Sequence, residues 1–273
     1  YGLEHPVVND KDFRVWQAWG ARAWPTLVIV DPAGNIVGGH SGEGVYPIFQ
    51  PIIAGLVQEF EAQGLLDRTP LNLKLEKEGL PETALSFPGK VLADVGNGRE
   101  RLFVADTHHN RIVVIGAESG EVQDMIGSSQ AGFQDGDFER ATFDHPQGMA
   151  LAADGATLYV ADTENHALRQ VDLTGRAVTT LAGTGQQARQ YPPRAGTAPD
   201  VALNSPWDLA LDGDQLYIAM AGAHQLWVMD LSSGALRPFA GSGREGTADG
   251  PRDEAELAQP SGLALDGRGR LYF

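Results

Sequence analysis

The chain reads as an α/β segment followed by an all-β region built from repeated four-stranded antiparallel units. Three observations carry this. Apolar residues recur at three- and four-residue intervals between Ile48 and Phe60, the mark of a helix face. After residue 87 the apolar runs are short and are punctuated by Gly, Pro, Asp and Asn. Finally, the stretches that begin at Phe87, His145 and Ser205 align with one another, and a fourth copy opens at Gln259.

Taken in order, Asp10 or Asp12 is placed to cap a short helix through FRVWQAW, which Gly20 ends. TLVIV (26–30) is a strand whose continuous apolar character predicts burial on both faces. DPAGN (31–35) is strong turn chemistry that returns the chain into IVGG as an antiparallel neighbour. Ile48, Phe49, Ile52, Ile53, Leu56, Val57 and Phe60 then form a helix face expected to pack on that sheet. Residues 65–86 form a linker in which LNLKLEKE (71–78) alternates as a possible edge strand. The expected division is therefore 1–64, a linker at 65–86, and 87–273.

Within the last region Pro88, Pro146, Pro206 and Pro260 mark the copies, at spacings of 58, 60 and 54 residues. The second copy divides into GMALA, TLYVAD, ALRQVDL and AVTTLAG, joined by tight turns. Four antiparallel strands in a unit of this size describe a propeller blade. Three blades and a fragment do not close a ring of about four to eight blades. Together with a first residue that is Tyr rather than Met and a last residue inside an apolar run, this leads to the expectation of a chain truncated at both ends.

The composition excludes several function classes. There are 36 acidic residues against 20 basic ones, a net charge of −16, which repels nucleic-acid backbones and anionic lipid surfaces. No window approaches the roughly 18 apolar residues of a membrane helix, so a soluble globular chain is expected. Cysteine is absent, which removes disulfides, thiolate metal sites and cysteine nucleophiles from these residues and leaves the compartment open. Nothing in the pattern requires a cofactor.

Two resemblances follow from these residues. The order helix, strand, hairpin strand, helix, with Trp24-Pro25-Thr26 opening the first strand, resembles the C-terminal half of the thioredoxin fold. That resemblance implies a cis Trp24–Pro25 bond, a substrate-binding edge at Trp24, Pro25 and Thr26, and a Cys-x-x-Cys pair before Tyr1. The blades resemble those of the NHL-repeat β-propellers through Tyr159-Val160-Ala161-Asp162, Asn165-His166 and Leu168. Copy one matches with Asp106 and Asn110-Arg111-Ile112, whereas copy three has Met220 in the Asp position, then His224-Gln225-Leu226. The combination is similar to a two-domain thioredoxin-like/NHL-repeat family, which implies a ring of six blades and a propeller acting as a protein-binding platform.

The remaining candidates weigh toward structure. Asn110, His166 and His224 hold equivalent turn positions, explained by local hydrogen bonds and tolerance of left-handed backbone. A shared metal at the two histidines needs a third ligand. Asp106, Asp162 and Asn165 read as turn residues that accept or donate locally. Asp135, Asp137 and Glu139 alternate without the glycine and distal Glu of a calcium loop. The long Gly-rich connections between blades are where binding is expected. Three readings of function stand together: a thiol-disulfide oxidoreductase or redox-linked scaffold with its dithiol upstream, a non-catalytic interaction module, and a metal-dependent propeller enzyme.

Overall fold

A computed structural model describes residues 6–42, 44–70, 83–96, 98–188 and 194–273. The chain divides into two compact units, Tyr1–Glu82 and Thr83–Phe273. The expected strand at 71–78 lies outside the described residues.

In the first unit, helix α1 (Arg14–Ala18) begins after Phe13, which is left-handed at φ 54°. Asp10 supplies the cap: the Val15 and Trp16 N–H groups donate to its carboxylate at 3.0 and 2.8 Å. Gly20 ends the helix at φ +62°, a backbone angle that glycine adopts without steric cost. Strand β1 (Thr26–Val30) turns through Asp31, whose Oδ1 accepts the Asn35 N–H at 2.8 Å, into β2 (Ile36–Ser41), and the two pair antiparallel with Leu27 opposite His40. Helix α2 (Tyr46–Ala62) follows.

Two expectations need correction here. Of TLVIV only Ile29 is buried, and Val30 is exposed, so the strand is not sandwiched on both faces. Along α2, Phe60 is buried and Leu56 and Val57 are half-buried, while Ile48, Ile52 and Ile53 remain exposed. The physical reason is the same in both cases. Among the described residues β1 and β2 form a sheet of two strands, too narrow to cover a helix of 17 residues.

The second unit is made of blades. Strands β3 (Lys90–Gly96), β4 (Arg99–Asp106), β5 (Arg111–Gly116) and β6 (Val122–Ile126) form the first. The second contains β8 (Pro146–Leu151), β9 (Thr157–Asp162), β10 (Ala167–Asp172) and β11 (Ala177–Ala182), and the third β13 (Pro206–Asp212), β14 (Gln215–Met220), β15 (Gln225–Asp230) and β16 (Ala235–Ala240). A fragment, β17 (Ala264–Leu265) with β18 (Leu271–Tyr272), follows, and the sheets do not close into a ring. Four strands per blade was an underestimate for two blades. The short β7 (Gly136–Asp137) adds to the outer edge of β11, and β12 (Gly196–Thr197) adds to β16, so each of these sheets has five. The connection leading into each of these blades thus covers its outermost strand, an edge otherwise open to pairing.

Period-2 alternation sends successive side chains of one blade into different cores. Leu158 and Val160 of β9 join Phe103, Ile112, Ile126 and Phe143 between the first and second blades. Tyr159 and Ala161 join Leu209, Ile218 and Trp227 between the second and third. Each blade is therefore stable only against a neighbour, as expected of stacked repeats. At the second seam the backbones come so close that a Cβ on Gly148 would lie 2.3 Å from the Asp208 Cα, which is why glycine stands there.

Candidate functional site

The first unit holds a cavity of about 400 Å³ lined by residues that include Asp10, Trp16, Trp19, Trp24, Thr26 and Val28. Its shape follows from local sequence. The Asp10 cap fixes the start of α1, and α1 then carries Trp16 toward the start of β1. Trp24 there lies with its ring 4.6 Å from that of Trp16, at 45°. Phe13 extends the aromatic cluster, 6.2 Å from Trp16 and 6.4 Å from Trp24. The Trp24–Pro25 bond is cis, as the resemblance implied. Thr26 donates its hydroxyl to the Ala23 carbonyl at 2.6 Å and lies 3.0 Å from the Ser41 hydroxyl, which ties the end of β1 to β2. Trp24 itself is 75% exposed, so it is neither core nor half-buried surface. Asp10 is ionised: the backbone N–H groups of Trp16 and Val15 hold its carboxyl below the usual range. Its presence in a cavity wall was not foreseen, because the sequence shows it only as a helix cap.

The repeat turns of the second unit have a different character. Asn110, His166 and His224 are left-handed, at φ 53°, 49° and 51°. Each turns its side chain onto the next repeat. Asn110 Oδ1 accepts the His145 N–H at 3.0 Å, His166 Nδ1 accepts the Ser205 N–H at 3.0 Å, and His224 Nδ1 accepts the Gln259 N–H at 3.3 Å. The three acceptors thus hold the residue before the marker proline of the following repeat, and the two histidines are engaged by backbone rather than brought together. Among the described residues no group of three His, Cys, Asp or Glu is placed to hold a metal ion. Burial pulls His166 below the ordinary histidine value, which keeps it neutral and able to accept.

Asp106 and Asp162 are fully buried. The Ser86 N–H donates to Asp106 Oδ1 at 2.6 Å, and the Asp144 N–H donates to Asp162 Oδ1 at 2.8 Å. Arg111 donates to Asp106 at 2.8 Å. In the second blade Arg169, two residues further along its strand, makes the corresponding bond to Asp162 at 2.8 Å, and Asn165 Nδ2 adds another at 2.9 Å. Burial pushes the Asp162 carboxyl up to about 6, against the pull of Arg169 and of these N–H donors. In the third blade Met220 replaces the acid. Its sulfur accepts the Asn204 N–H at 3.4 Å, and Asn204 Nδ2 donates to the Gly222 carbonyl at 2.8 Å. Trp227 stands where Arg169 stands in the second blade, with its Nε1 donating to Gln225 at 3.0 Å. The function of Arg169 was missed in the sequence. The signal was an arginine on the same period-2 face as Ala167 and Val171 of its strand.

The connections expected to bind are themselves tied down. Gly127 and Ser128 N–H groups donate to Phe138 and Ala141, and Gly241 and Ser242 repeat the pattern onto Arg252 and Ala255. Asp135 is taken by Arg169 and by the Thr180 hydroxyl, each at 2.8 Å, and the Asp137 carboxylate by the Arg140 N–H at 2.9 Å. Two aromatic residues of this unit that stay exposed are Phe133, within one of these connections, and Phe87, 78% accessible and edge-on to His108 at 5.7 Å, which in turn lies 5.9 Å from His145.

No family model matches the chain. It is 42% identical over 272 residues to "Protein SUPPRESSOR OF QUENCHING 1, chloroplastic" of Arabidopsis thaliana, a match that covers 97% of this chain and 25% of that protein. It is 38% identical over 285 residues to NHL repeat-containing protein 2 of Homo sapiens, covering 97% of this chain and 38% of the relative, and the protein of that name from Gallus gallus gives the same figures. These relatives support an NHL-repeat β-propeller. The chain spans between 25% and 38% of the length of these relatives. No helix of the described residues is long and apolar enough to cross a membrane.

Proposed function

We propose that this chain is a protein-interaction module. Its propeller is the platform, exposing the Phe87–His108–His145 rings to a folded partner, and the Trp24 edge of its first unit receives an extended segment. The single observation that supports this best is the open cavity beside Trp24, Pro25 and Thr26, bordered by a sheet in which, among the described residues, β1 has β2 as its only strand neighbour. The apolar hollow beside the start of β1 offers a pocket for side chains of an extended segment whose main chain lies along Trp24 and Thr26. The large exposed indole supplies contact area at low entropic cost.

The test is a calorimetric titration with a reduced, carboxymethylated polypeptide that cannot fold. Binding is expected, with Trp24→Ala weakening it at least tenfold while leaving the unfolding midpoint of the propeller unchanged. Absence of binding, or equal binding by Trp24→Ala, overturns the reading.

A second reading is favoured by the order α1, β1, β2, α2 with Trp24-Pro25-Thr26 at the opening of β1. These elements resemble the substrate side of a thioredoxin-like site. On that reading the intact protein is a thiol-disulfide oxidoreductase whose Cys-x-x-Cys precedes Tyr1, because the present residues hold no cysteine. Disulfide-reductase activity of the intact protein that disappears when either cysteine is replaced is the expected result, and an intact sequence without such a pair removes the reading. A metal-dependent propeller enzyme is not favoured, since His166 and His224 each spend Nδ1 on a backbone N–H.

A further inference from the structure

We propose that the tryptophan-lined cavity selects a cationic side chain, Lys or Arg, carried on the extended partner segment. This rests on the peptide-binding reading above and adds the chemistry of the segment. Among the described residues Asp10 is the only ionisable group in the cavity wall. Its charge is maintained by the two backbone N–H donors that pull its pKa down, and among the described residues it makes no ion pair. Capping α1 occupies one lone pair on each oxygen and leaves acceptor capacity toward the cavity.

The rest of the wall suits the stem of such a side chain. Trp16 and Trp24 form one continuous aromatic surface, their rings 4.6 Å apart, and Trp19 stands half-exposed beside them. A guanidinium or ammonium over an indole face gains cation–π attraction, and its methylene stem covers apolar surface while the head meets the carboxylate. The alternatives are worse matched. An apolar tip would strip water from Asp10 without offering it a partner, and an acidic tip would be repelled. The net charge of −16 adds a field that favours the approach of a basic segment.

The experiment compares, by calorimetry on the full chain, three nonapeptides identical except for a central Arg, norleucine or Glu. The Arg peptide is expected to bind at least tenfold more tightly than the norleucine peptide, with the preference shrinking as salt rises. Asp10→Asn keeps a capping oxygen and removes the charge. It is expected to bring the Arg and norleucine peptides to equal affinity with the helical circular dichroism unchanged, and Asp10→Ser is the second neutral cap should Asn perturb α1. Equal binding of Arg and norleucine peptides by the wild type, both abolished by Trp24→Ala, overturns the cationic preference and leaves the peptide-binding reading standing. Failure of all three peptides to bind, together with failure of the unfolded polypeptide, overturns both. Undiminished Arg preference in Asp10→Asn and Asp10→Ser also overturns the assignment of the charge to Asp10.

Discussion

The two units treat their polar and apolar groups in opposite ways. In the propeller a buried charge or a turn side chain is answered by the protein itself. Asp162 meets Arg169 and Asn165, and the turn residues Asn110, His166 and His224 each hold a backbone N–H of the next repeat. In the first unit the reverse holds. Trp24, Ile48, Ile52 and Ile53 are exposed, and Asp10 faces a hollow lined with indoles. Groups already satisfied internally build a scaffold, and groups left open at a surface are what a ligand finds. The turn motif that stands out most in the sequence is therefore structural, and the candidate site lies in the part with fewer repeated features.

This contrast is open to attack by substitution, beginning with the largest effect. Arg169→Met leaves Asp162 and Asp135 without their common guanidinium, and we expect a loss of about 3–5 kcal/mol in urea unfolding at neutral pH. Adding Asp162→Met and replacing Arg169 by Trp instead, the pair the third blade uses at Met220 and Trp227, is expected to recover most of it, because apolar residues replace a buried ion pair at little cost. Gly148→Ala forces a Cβ against the Asp208 and Leu209 backbone and should cost about 1–3 kcal/mol by the same measurement. Ile53→Gln in the first unit, at a site 47% exposed, should change stability by less than about 0.5 kcal/mol. A cost there as large as at Gly148 would break the contrast.

The smallest effect is a pH dependence. Burial lowers the His166 pKa, so its stabilising contribution is present above the ordinary histidine value of 6.5 and is lost as pH falls below it, where the unfolded chain takes up a proton that the native state resists. Asp162 acts in the opposite direction. Its carboxyl, raised to about 6, binds a proton in the native state before the unfolded chain does, so stability from this group rises as pH falls from about 6 toward 3.8. His166→Asn, which copies Asn110, should therefore remove part of the acid-side loss near pH 6 and leave stability at pH 8 almost unchanged. Identical pH profiles for the variant and the wild type would show that this histidine is not held neutral by the seam.

Much of this was legible in the sequence, for identifiable reasons. Strand β9 falls at TLYVAD because a short apolar run bounded by turn residues reads as a buried strand, and β1, the Asp31 turn and α2 follow from equally local chemistry. What was not legible depends on neighbours distant in sequence. The exposure of Val30 and Ile52 reflects a two-stranded sheet that leaves their faces uncovered, which an apolar run does not reveal. The fifth strands arise because Gly136 meets Val178 and Gly196 meets Leu236, pairings that span about 40 residues and are carried by only two residues on each strand. Asp10 was visible as a cap but not as the charge in a tryptophan-lined wall, since that requires Trp24 to fold back onto Trp16.

Hydrogen exchange of the full chain with and without the unfolded polypeptide compares the two units most directly. The account predicts slowed exchange at the β1 backbone and around Ala23 and Trp24, with no change at the repeat turns 107–110, 163–166 and 221–224. Protection confined to those turns, with residues 23–30 unaffected, would contradict it.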